Sequence, residues 1–339
     1  MNLMALLLIL LTGCESTILE TPVGEGIDPT LVNLKITLTV DPKIEPYGSS
    51  NSAQSRNGTH DVRWIIELFR DEIGGKLEER MILTEEPNPE GKHSIQIEKA
   101  LHAARYHLVA WMEYVDNDSS EDKYYKVSSL GTISIQDAGQ YIGNEDHKDT
   151  FVARKEMDLR EYRNQWNITV EQTVTLQRPM AKIELITTDV EKFLEKINRK
   201  QTGTSAGSGT RPAQNNLSDL QVEVAYTGYF PSGFNAYTNK PNDACTGLFF
   251  AGQITPLSSK EARLASDYIF VNGTESAVMV DVTIRNARGT LLNTIEGIRV
   301  PIVRGRLTTL RDEFLTRSYS PGIGIDPGFD GEIDIVIPD

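Results

Sequence analysis

Apolar and polar residues alternate one by one along much of this chain. The alternation is clearest at residues 32–40, where Val, Leu, Ile, Leu and Val are separated by Asn, Lys, Thr and Thr. It returns at 62–68, at 166–176 and at 278–284. Successive side chains of a strand point to opposite faces, so a period of two indicates strands with one buried face. The pattern therefore predicts a mainly β protein.

Helical periodicity is convincing in only one segment, residues 190–200. Four apolar residues between Val190 and Ile197 fall on one helical face, directly after Asp189, which is suited to cap the helix. Many short strands with little helix are typical of β-sandwiches, because each sheet must bury one face against another layer.

A new strand pattern begins after Arg178-Pro179, and this places a domain boundary there. We predict an N-terminal β-sandwich at 28–178 and a C-terminal β-sandwich at 179–339, with the one short helix in the second. Asn272-Gly273 lies between two strand patterns, and Asn-Gly is a strong signal for a hairpin turn. The sequence thus predicts a three-stranded meander that ends with the strand at 291–300.

The amino terminus has the features of an export signal. Residues 3–11 are an unbroken apolar run, too short to cross a membrane but suited to the core of a signal peptide. The sequence Leu11-Thr12-Gly13-Cys14 resembles the lipobox of bacterial lipoproteins. That resemblance implies a signal peptide at 1–14, with Cys14 as the lipidated residue that anchors the chain to the outer membrane. An ordinary secretory signal with an incidental cysteine is the alternative.

Composition narrows the classes of partner. The chain has 339 residues and is 39% hydrophobic, which is enough apolar material for a core. Its net charge is −14 and its basic residues are scattered, so no nucleic acid partner is expected. Cys14 and Cys245 are the only cysteines, which excludes a disulfide scaffold and a cysteine-based zinc site. We expect Cys245 to act as a small buried residue rather than a reactive thiol.

Motifs for catalysis and metal binding are weak. Gly203-Thr204-Ser205-Ala206-Gly207 matches a nucleophile elbow, but all five histidines precede Ser205 and the predicted helix comes before the motif instead of after it. Residues 116–122 resemble the start of a calcium loop, yet the sixth and twelfth positions are Glu121 and Val127, where Gly and Glu are required. We expect no catalytic residues, no metal site and no cofactor, and therefore no enzyme.

The carboxyl end combines a glycine-rich tether with a short strand pattern. Residues 318–331 contain four glycines and two prolines, and residues 332–338 alternate with Ile333, Ile335 and Ile337 on one face. Such a strand can complete the sheet of a neighbouring molecule by main-chain pairing, and we treat the three isoleucines as a candidate donor strand. It can equally fold back as an edge strand of its own domain. The pattern does not decide between the two.

Three passages together resemble the fimbrillin-like lipoproteins of Bacteroidetes, which supply the subunits of type V pili. They are residues 105–125, including LVAWMEY and DKYY, residues 177–185 (QRPMAKIEL), and residues 300–316, beginning VPIVRGRLTTL. The resemblance covers most of the chain after the signal. It implies two transthyretin-like, or immunoglobulin-like, β-sandwiches on a lipoprotein of the outer membrane.

The resemblance also implies a mode of assembly. In that family a protease cuts after a loop arginine and removes the first strand, and a strand from a partner subunit fills the groove. Arg56, in the Ser- and Asn-rich segment after the strand at 32–40, is the candidate processing site. We expect a fimbrial subunit at the cell surface that contributes to adhesion. Its expected partners are other pilus subunits, the membrane through its lipid, and a glycan or protein on a host or bacterial surface.

Two alternatives remain open. An anchor subunit of the same family would keep its lipid and its first strand. A surface glycan-binding lipoprotein would need a flat platform of exposed aromatic rings. The candidate platform is the aromatic cluster Tyr226, Tyr229, Phe230, Phe234 and Tyr237. Trp64, Trp111 and Trp166 lie in strand patterns, where we expect them to pack in the core.

Overall fold

Strands account for most of the described chain, so the prediction of a mainly β protein is confirmed. The computed structural model describes residues 30–40, 60–88, 92–136, 141–165, 167–202, 216–317 and 333–336. The predictions for the signal peptide, Cys14, Arg56, Trp166 and Ile337 lie outside the described residues.

Nine strands precede Pro179. They are β1 (Leu31–Val40), β2 (His60–Arg70), β3 (Lys76–Glu85), β4 (Ser94–His102), β5 (Arg105–Asp116), β6 (Tyr125–Ser129), β7 (Thr132–Ile135), β8 (Phe151–Asp158) and β9 (Thr169–Leu176). Short 3₁₀ helices lie at Asp146–Lys148 and Arg160–Tyr162.

Eleven described strands follow Pro179. They are β10 (Met180–Thr187), β11 (Leu220–Tyr226), β12 (Phe230–Asn235), β13 (Lys240–Cys245), β14 (Phe249–Ala251), β15 (Thr255–Pro256), β16 (Ala262–Phe270), β17 (Glu275–Asn286), β18 (Leu291–Val303), β19 (Leu307–Asp312) and β20 (Ile333–Val336). The helix α1 (Val190–Thr202) confirms the predicted helix, and a 3₁₀ helix lies at Leu217–Asp219.

The first core lies between two sheets of the N-terminal half. One sheet has the order β4-β1-β9 and the other the order β3-β2-β5-β8. The alternating apolar residues of β1 point into this core, together with Trp64 and Ile66 from β2. Trp64 is fully buried, as its strand pattern predicts.

The sheet β3-β2-β5-β8 is buried on its other face as well. Ile65, Phe69 and Trp111 belong to a second core, which contains residues from both halves of the chain. A four-stranded sheet of order β13-β12-β7-β6 contributes to this core, and its middle pairing sets Phe234 of β12 opposite Ile133 of β7. Strands from both sides of Pro179 therefore share one sheet, and the division into domains at 178/179 stays a prediction.

Two further sheets form the C-terminal half. In the order β15-β16-β10-β19-β20, strand β10 runs antiparallel to β16 and parallel to β19. The other sheet has the order β14-β11-β17-β18. Helix α1 packs against the second core through Val190 and Phe193, which are buried, and Leu194 and Ile197, which are partly buried.

The predicted meander at 267–300 is wrong in its first pairing. Asn272-Gly273 does form a tight connection, and Gly273 has a φ of +79°. However, β16 pairs with β10 and β15, whereas β17 pairs with β11 and β18. The turn therefore passes from one sheet to the other, and the apolar residues of both strands pack into the second core from these two sheets. Only β17 and β18 form the expected antiparallel pair.

The carboxyl-terminal strand lies at the edge of its own sheet. β20 runs antiparallel to β19, with Val336 opposite Leu307 and Ile333 opposite Leu310. The sequence left open whether this strand pairs with a neighbouring molecule or folds back on its own domain. In the described structure it folds back as an edge strand. Donation of this strand to another molecule stays a prediction.

Candidate functional site

The first candidate site is the position that β1 occupies between β4 and β9, here called the β1 slot. β1 pairs antiparallel with β4 and parallel with β9 along most of its length. Since neighbouring strands lie about 4.8 Å apart, β4 and β9 flank a gap of about 10 Å that one strand fills. The slot is thus built for a single extended segment.

The inner face of β1 is entirely apolar and buried. Val32, Leu34, Ile36, Leu38 and Val40 are between 0% and 7% exposed. Full burial of such a side chain is worth about 1.5–3 kcal/mol, so five of them contribute on the order of 10 kcal/mol. That is as large as the whole stability of a typical domain, about 5–15 kcal/mol. The N-terminal core therefore requires a strand in the β1 slot.

The outer face of β1 makes weaker contacts. Lys35 Nζ lies 3.4 Å from Glu171, whose side chain is 72% exposed, and Thr39 lies 3.3 Å from Thr175 on the surface. Exposed pairs of this kind contribute little. β1 is therefore held by its backbone ladders and its inner side chains, which are features that another strand of alternating pattern can reproduce.

Each end of β1 is attached by one further backbone hydrogen bond to a residue that flanks β4. The backbone N–H of Val40 donates to His93 at 3.1 Å, and the N–H of Ala103 donates to Thr30 at 2.8 Å. After Val40 the chain passes through residues 41–59 and re-enters the described fold at His60, in the opposite sheet. Arg56 falls within 41–59, so a cut there would separate β1 from β2.

The second candidate site is the contact of residues 141–149 with residues 178–182 and with strand β16, here called the junction. Three ion pairs connect these parts. Arg178 binds both carboxylate oxygens of Asp149, at 2.6 and 2.8 Å. Lys148 contacts Asp267 at 2.6 Å, and Lys182 contacts Asp146 at 2.8 Å. Burial lowers the pKa of Lys148, although the nearby Asp267 opposes that effect.

Another buried ionic group links β2, β5 and the turn after β5. Arg63 binds Glu113 through Nε at 3.0 Å and Asp122 through Nη2 at 2.7 Å. Glu113 is 1% exposed, and burial raises its pKa to about 7 in spite of the opposing charge of Arg63. The buried Glu67 binds Arg80 and accepts a hydrogen bond of 2.6 Å from Tyr237.

The predicted aromatic platform is wrong. Tyr226, Phe230 and Phe234 are at most 2% exposed and belong to the second core, and Tyr237 is half-buried. Tyr229 alone is open, at 82% exposure, beside a hollow of about 480 Å³. The strands of this cluster are short, and this made an exposed platform plausible. Its aromatic rings instead fill the space between the N-terminal and C-terminal halves of the chain.

The remaining chemistry is sparse. Cys245 is half-buried and lines a hollow of about 500 Å³ instead of being fully buried as expected. Within the described ranges, no three His, Cys, Asp or Glu side chains are placed to bind a metal ion. No helix among the described residues is long and apolar enough to span a membrane.

Comparison with protein families gives one match, over residues 29–338, to a family described as "Family of unknown function (DUF6562)". No curated protein matches the chain. The match covers nearly the whole chain, including the β1 slot, the junction and the described terminal strand.

The chain is similar to several solved structures. One is a candidate polysaccharide-binding protein from Bacteroides thetaiotaomicron, at 11% identity over 78% of this chain and 80% of that chain, with a TM-score of 0.43. A candidate adhesin from Bacteroides ovatus has 12% identity, coverage of 83% and 89%, and a TM-score of 0.44. The fimbrial anchor protein Mfa2 from Porphyromonas gingivalis has 9% identity, coverage of 83% and 90%, and a TM-score of 0.40. Of these three proteins, Mfa2 is the one described as fimbrial.

Proposed function

The chain belongs to the DUF6562 family, and we propose that it is a subunit of a type V pilus, assembled at the cell surface by exchange of β-strands and contributing to adhesion. The observation that carries the proposal is the β1 slot. A central strand with a wholly apolar inner face is the first strand described, and the candidate processing residue Arg56 follows it.

The first step is release of β1. A cut after Arg56 leaves β1 bound only by hydrogen bonds and burial, because the covalent link to β2 is gone. Once β1 dissociates, the unpaired edges of β4 and β9 and the apolar floor of the slot are exposed. Such a groove is unstable in water and binds an extended segment of alternating pattern.

The terminal strand fits the role of donor. β20 pairs with β19 on one side only, at the edge of its sheet, so its release costs fewer backbone hydrogen bonds than release of a central strand. Ile333, Ile335 and Ile337 repeat at the spacing of the inner residues of β1. The preceding segment 318–331 has 14 residues and spans up to about 45 Å when extended.

Cleavage of the purified chain with an arginine-specific protease tests the proposal. We expect a fragment that begins at Asn57, followed by ladders that resist SDS without heating. Arg56→Ala should abolish both, and deletion of 332–339 should abolish the ladders alone. Lys43→Ala, in the same connecting segment, is the matched control and should change neither result.

Peptide complementation separates the two steps. A synthetic peptide of residues 31–40 or 332–339, added to the cut chain, should occupy the slot and block the growth of ladders. A cut chain that remains monomeric without any peptide, or ladders that survive deletion of 332–339, would contradict strand exchange by this tail.

An anchor subunit is the second candidate, because β1 is fully integrated in the described fold. Such a subunit would resist the cut at Arg56 and stay on the membrane through Cys14. Metabolic labelling with palmitate, compared between the natural chain and Cys14→Ser, tests the lipid anchor.

Glycan binding is a third candidate, and it now depends on Tyr229 and on the hollow beside that residue. Loss of binding to surface polysaccharide in Tyr229→Ala, with Tyr162→Ala unchanged, would favour it.

A further inference from the structure

The junction brings one lysine and one aspartate into direct contact in a dry environment. Lys148 ends the 3₁₀ helix Asp146–Lys148, and Asp267 lies in β16. Their side chains are 4% and 0% exposed, and Nζ lies 2.6 Å from Oδ1. Such a pair brings an amine to the carboxyl group with which it can condense.

The two oxygens of Asp267 have different partners. Oδ1 accepts a hydrogen bond from the backbone N–H of Tyr268 at 2.8 Å. Oδ2 accepts from the hydroxyl groups of Tyr141 and Tyr226, both at 2.7 Å. A backbone N–H at one oxygen stabilises negative charge that develops there, as in an oxyanion hole. The hydroxyl groups at the other oxygen are positioned to deliver a proton to it when it departs.

Tyr141 connects the amine to the departing oxygen. Lys148 Nζ donates to the Tyr141 hydroxyl at 2.8 Å, and that hydroxyl donates to Asp267 Oδ2 at 2.7 Å. Burial raises the pKa of Tyr141, so the phenol keeps its proton overall. It can still pass a proton along, by receiving one from Nζ while it gives its own to Oδ2.

The surroundings of Lys148 disfavour its charged form. Tyr141 packs edge-on against Phe230 and Phe250, with ring centroids 5.4 and 6.0 Å apart, and encloses the pair on an apolar side. Charged groups are costly to keep away from water, so transfer of a proton from the ammonium to the carboxylate relieves the penalty. Burial lowers the pKa of Lys148 in the same sense.

The backbone holds the two groups in register. Asn144 and Ser266 exchange two hydrogen bonds of 2.8 Å, from the N–H of Asn144 to Ser266 O and from the N–H of Ser266 to Asn144 Oδ1. This clamp lies next to Asp267 in β16 and four residues before Lys148. Fixed proximity of two reactants removes much of the entropic barrier to their reaction.

We propose that Lys148 and Asp267 form an intramolecular amide bond with loss of water. One proton passes from the ammonium of Lys148 through the Tyr141 hydroxyl to Oδ2 of Asp267 and leaves a neutral amine and a carboxylic acid. The lone pair of Nζ then attacks Cγ, while a second proton passes through Tyr141 to the hydroxyl at Oδ2. The Cγ–Oδ2 bond breaks, water departs, and the amide nitrogen keeps its last hydrogen.

The bond would join residue 148 to residue 267 across the junction. It goes beyond the proposed pilus function and does not depend on it, since the reaction needs only the folded chain. A cross-link that encloses a loop of more than 100 residues restricts the conformations of the unfolded chain and so stabilises the folded one.

A second lysine–aspartate pair in the junction provides an internal control. Lys182 Nζ lies 2.8 Å from Asp146 Oδ1, about as close as the first pair. The Asp146 side chain is 53% exposed, however, so water can keep both groups charged. We expect this pair to remain an ordinary ion pair, which separates proximity from the reactive arrangement around Asp267.

Mass spectrometry of the full chain after denaturation and trypsin digestion tests the proposal. We expect a branched peptide that joins residues 127–154 to residues 264–285, with a mass one water molecule below the sum of the two, and no cleavage after Lys148. Lys182 should be cleaved normally. Recovery of free peptides that end at Lys148, with no branched species, would overturn the proposal.

Substitutions test the assigned roles. Lys148→Arg keeps the positive charge but cannot form the amide, and Asp267→Asn should form the same bond with loss of ammonia instead of water. Tyr141→Phe should slow formation at least tenfold after refolding, as followed by the branched peptide over time. If Tyr141→Phe forms the bond at the natural rate, the relay through Tyr141 is wrong even when the bond itself is present.

Discussion

Glu113 is a carboxyl group enclosed between β2 and β5, and its ionisation links stability to pH. Burial raises its pKa to about 7 in the folded chain, against 4.5 for the free group. Between these values the folded state binds the proton more tightly than the unfolded state. Stability contributed by Glu113 is therefore complete below pH 4.5 and is lost as the pH rises through 7, by on the order of 3 kcal/mol.

Glu113→Gln should remove this dependence, because the amide keeps the size of the side chain and does not titrate. The measurement is the free energy of unfolding by denaturant at several pH values between 4.5 and 8. The difference in the free energy of unfolding between the variant and the natural chain should change across this pH range and become constant above pH 7. A constant difference would mean that Glu113 is ionised throughout. Glu121→Gln, at the exposed tip after β5, is the control.

Single residues also mark the limit of what the sequence could predict. The burial of Trp64 and Trp111 followed from alternation within one strand, and that prediction is confirmed. The burial of Tyr226, Phe230 and Phe234 did not follow, because it depends on strands β6 and β7, about 100 residues earlier in the chain. Local periodicity reports which side of a strand is apolar but not which distant strand covers it.

At the scale of elements, β1 gives the sharpest prediction. Leu34→Ala should destabilise the uncut chain by about 2–5 kcal/mol, because Leu34 is 1% exposed and its removal leaves a cavity. The same substitution should leave the stability of assembled ladders unchanged, since β1 is absent from them. Lys35→Ala, on the outer face of the same strand, should have little effect in either form.

Thermal dissociation of ladders and denaturant unfolding of the uncut chain supply the two readings. If Leu34→Ala weakens the ladders as much as the monomer, β1 is retained during assembly and the strand-exchange model fails.

The positions of strands such as β1 could be predicted from the sequence with little error. Pairing partners could not, as Asn272-Gly273 shows, because turn chemistry specifies the bend but not the sheet that each strand joins.

At the scale of the whole molecule, the junction and the second core join both halves. Asp149→Asn should cost about 3–5 kcal/mol, because it leaves the guanidinium of Arg178 buried without its paired charge. Because Arg178 lies between the two predicted domains, we expect a single cooperative transition at a lower temperature in calorimetry. Two separate transitions would contradict a shared core.

The exposed pair of Asp158 and Arg160 supplies the control for this substitution. Arg160 Nε lies 2.8 Å from Asp158, yet both side chains are open to solvent. Asp158→Asn should therefore leave the melting temperature unchanged within error. A similar loss in both variants would mean that charge alone, and not burial between the halves, determines the effect.

The sheet formed by β6, β7, β12 and β13 has a consequence for how the chain is made. Ribosomes work from the amino end at about 5–20 residues per second, so Phe234 follows Ile133 by about 5–20 seconds. During that delay Trp111, whose ring lies 6.0 Å from Phe234 in the finished fold, has no such partner. The nascent N-terminal half therefore exposes apolar surface that is prone to aggregate. We expect it to need a holding chaperone until residue 245 has emerged from the ribosome.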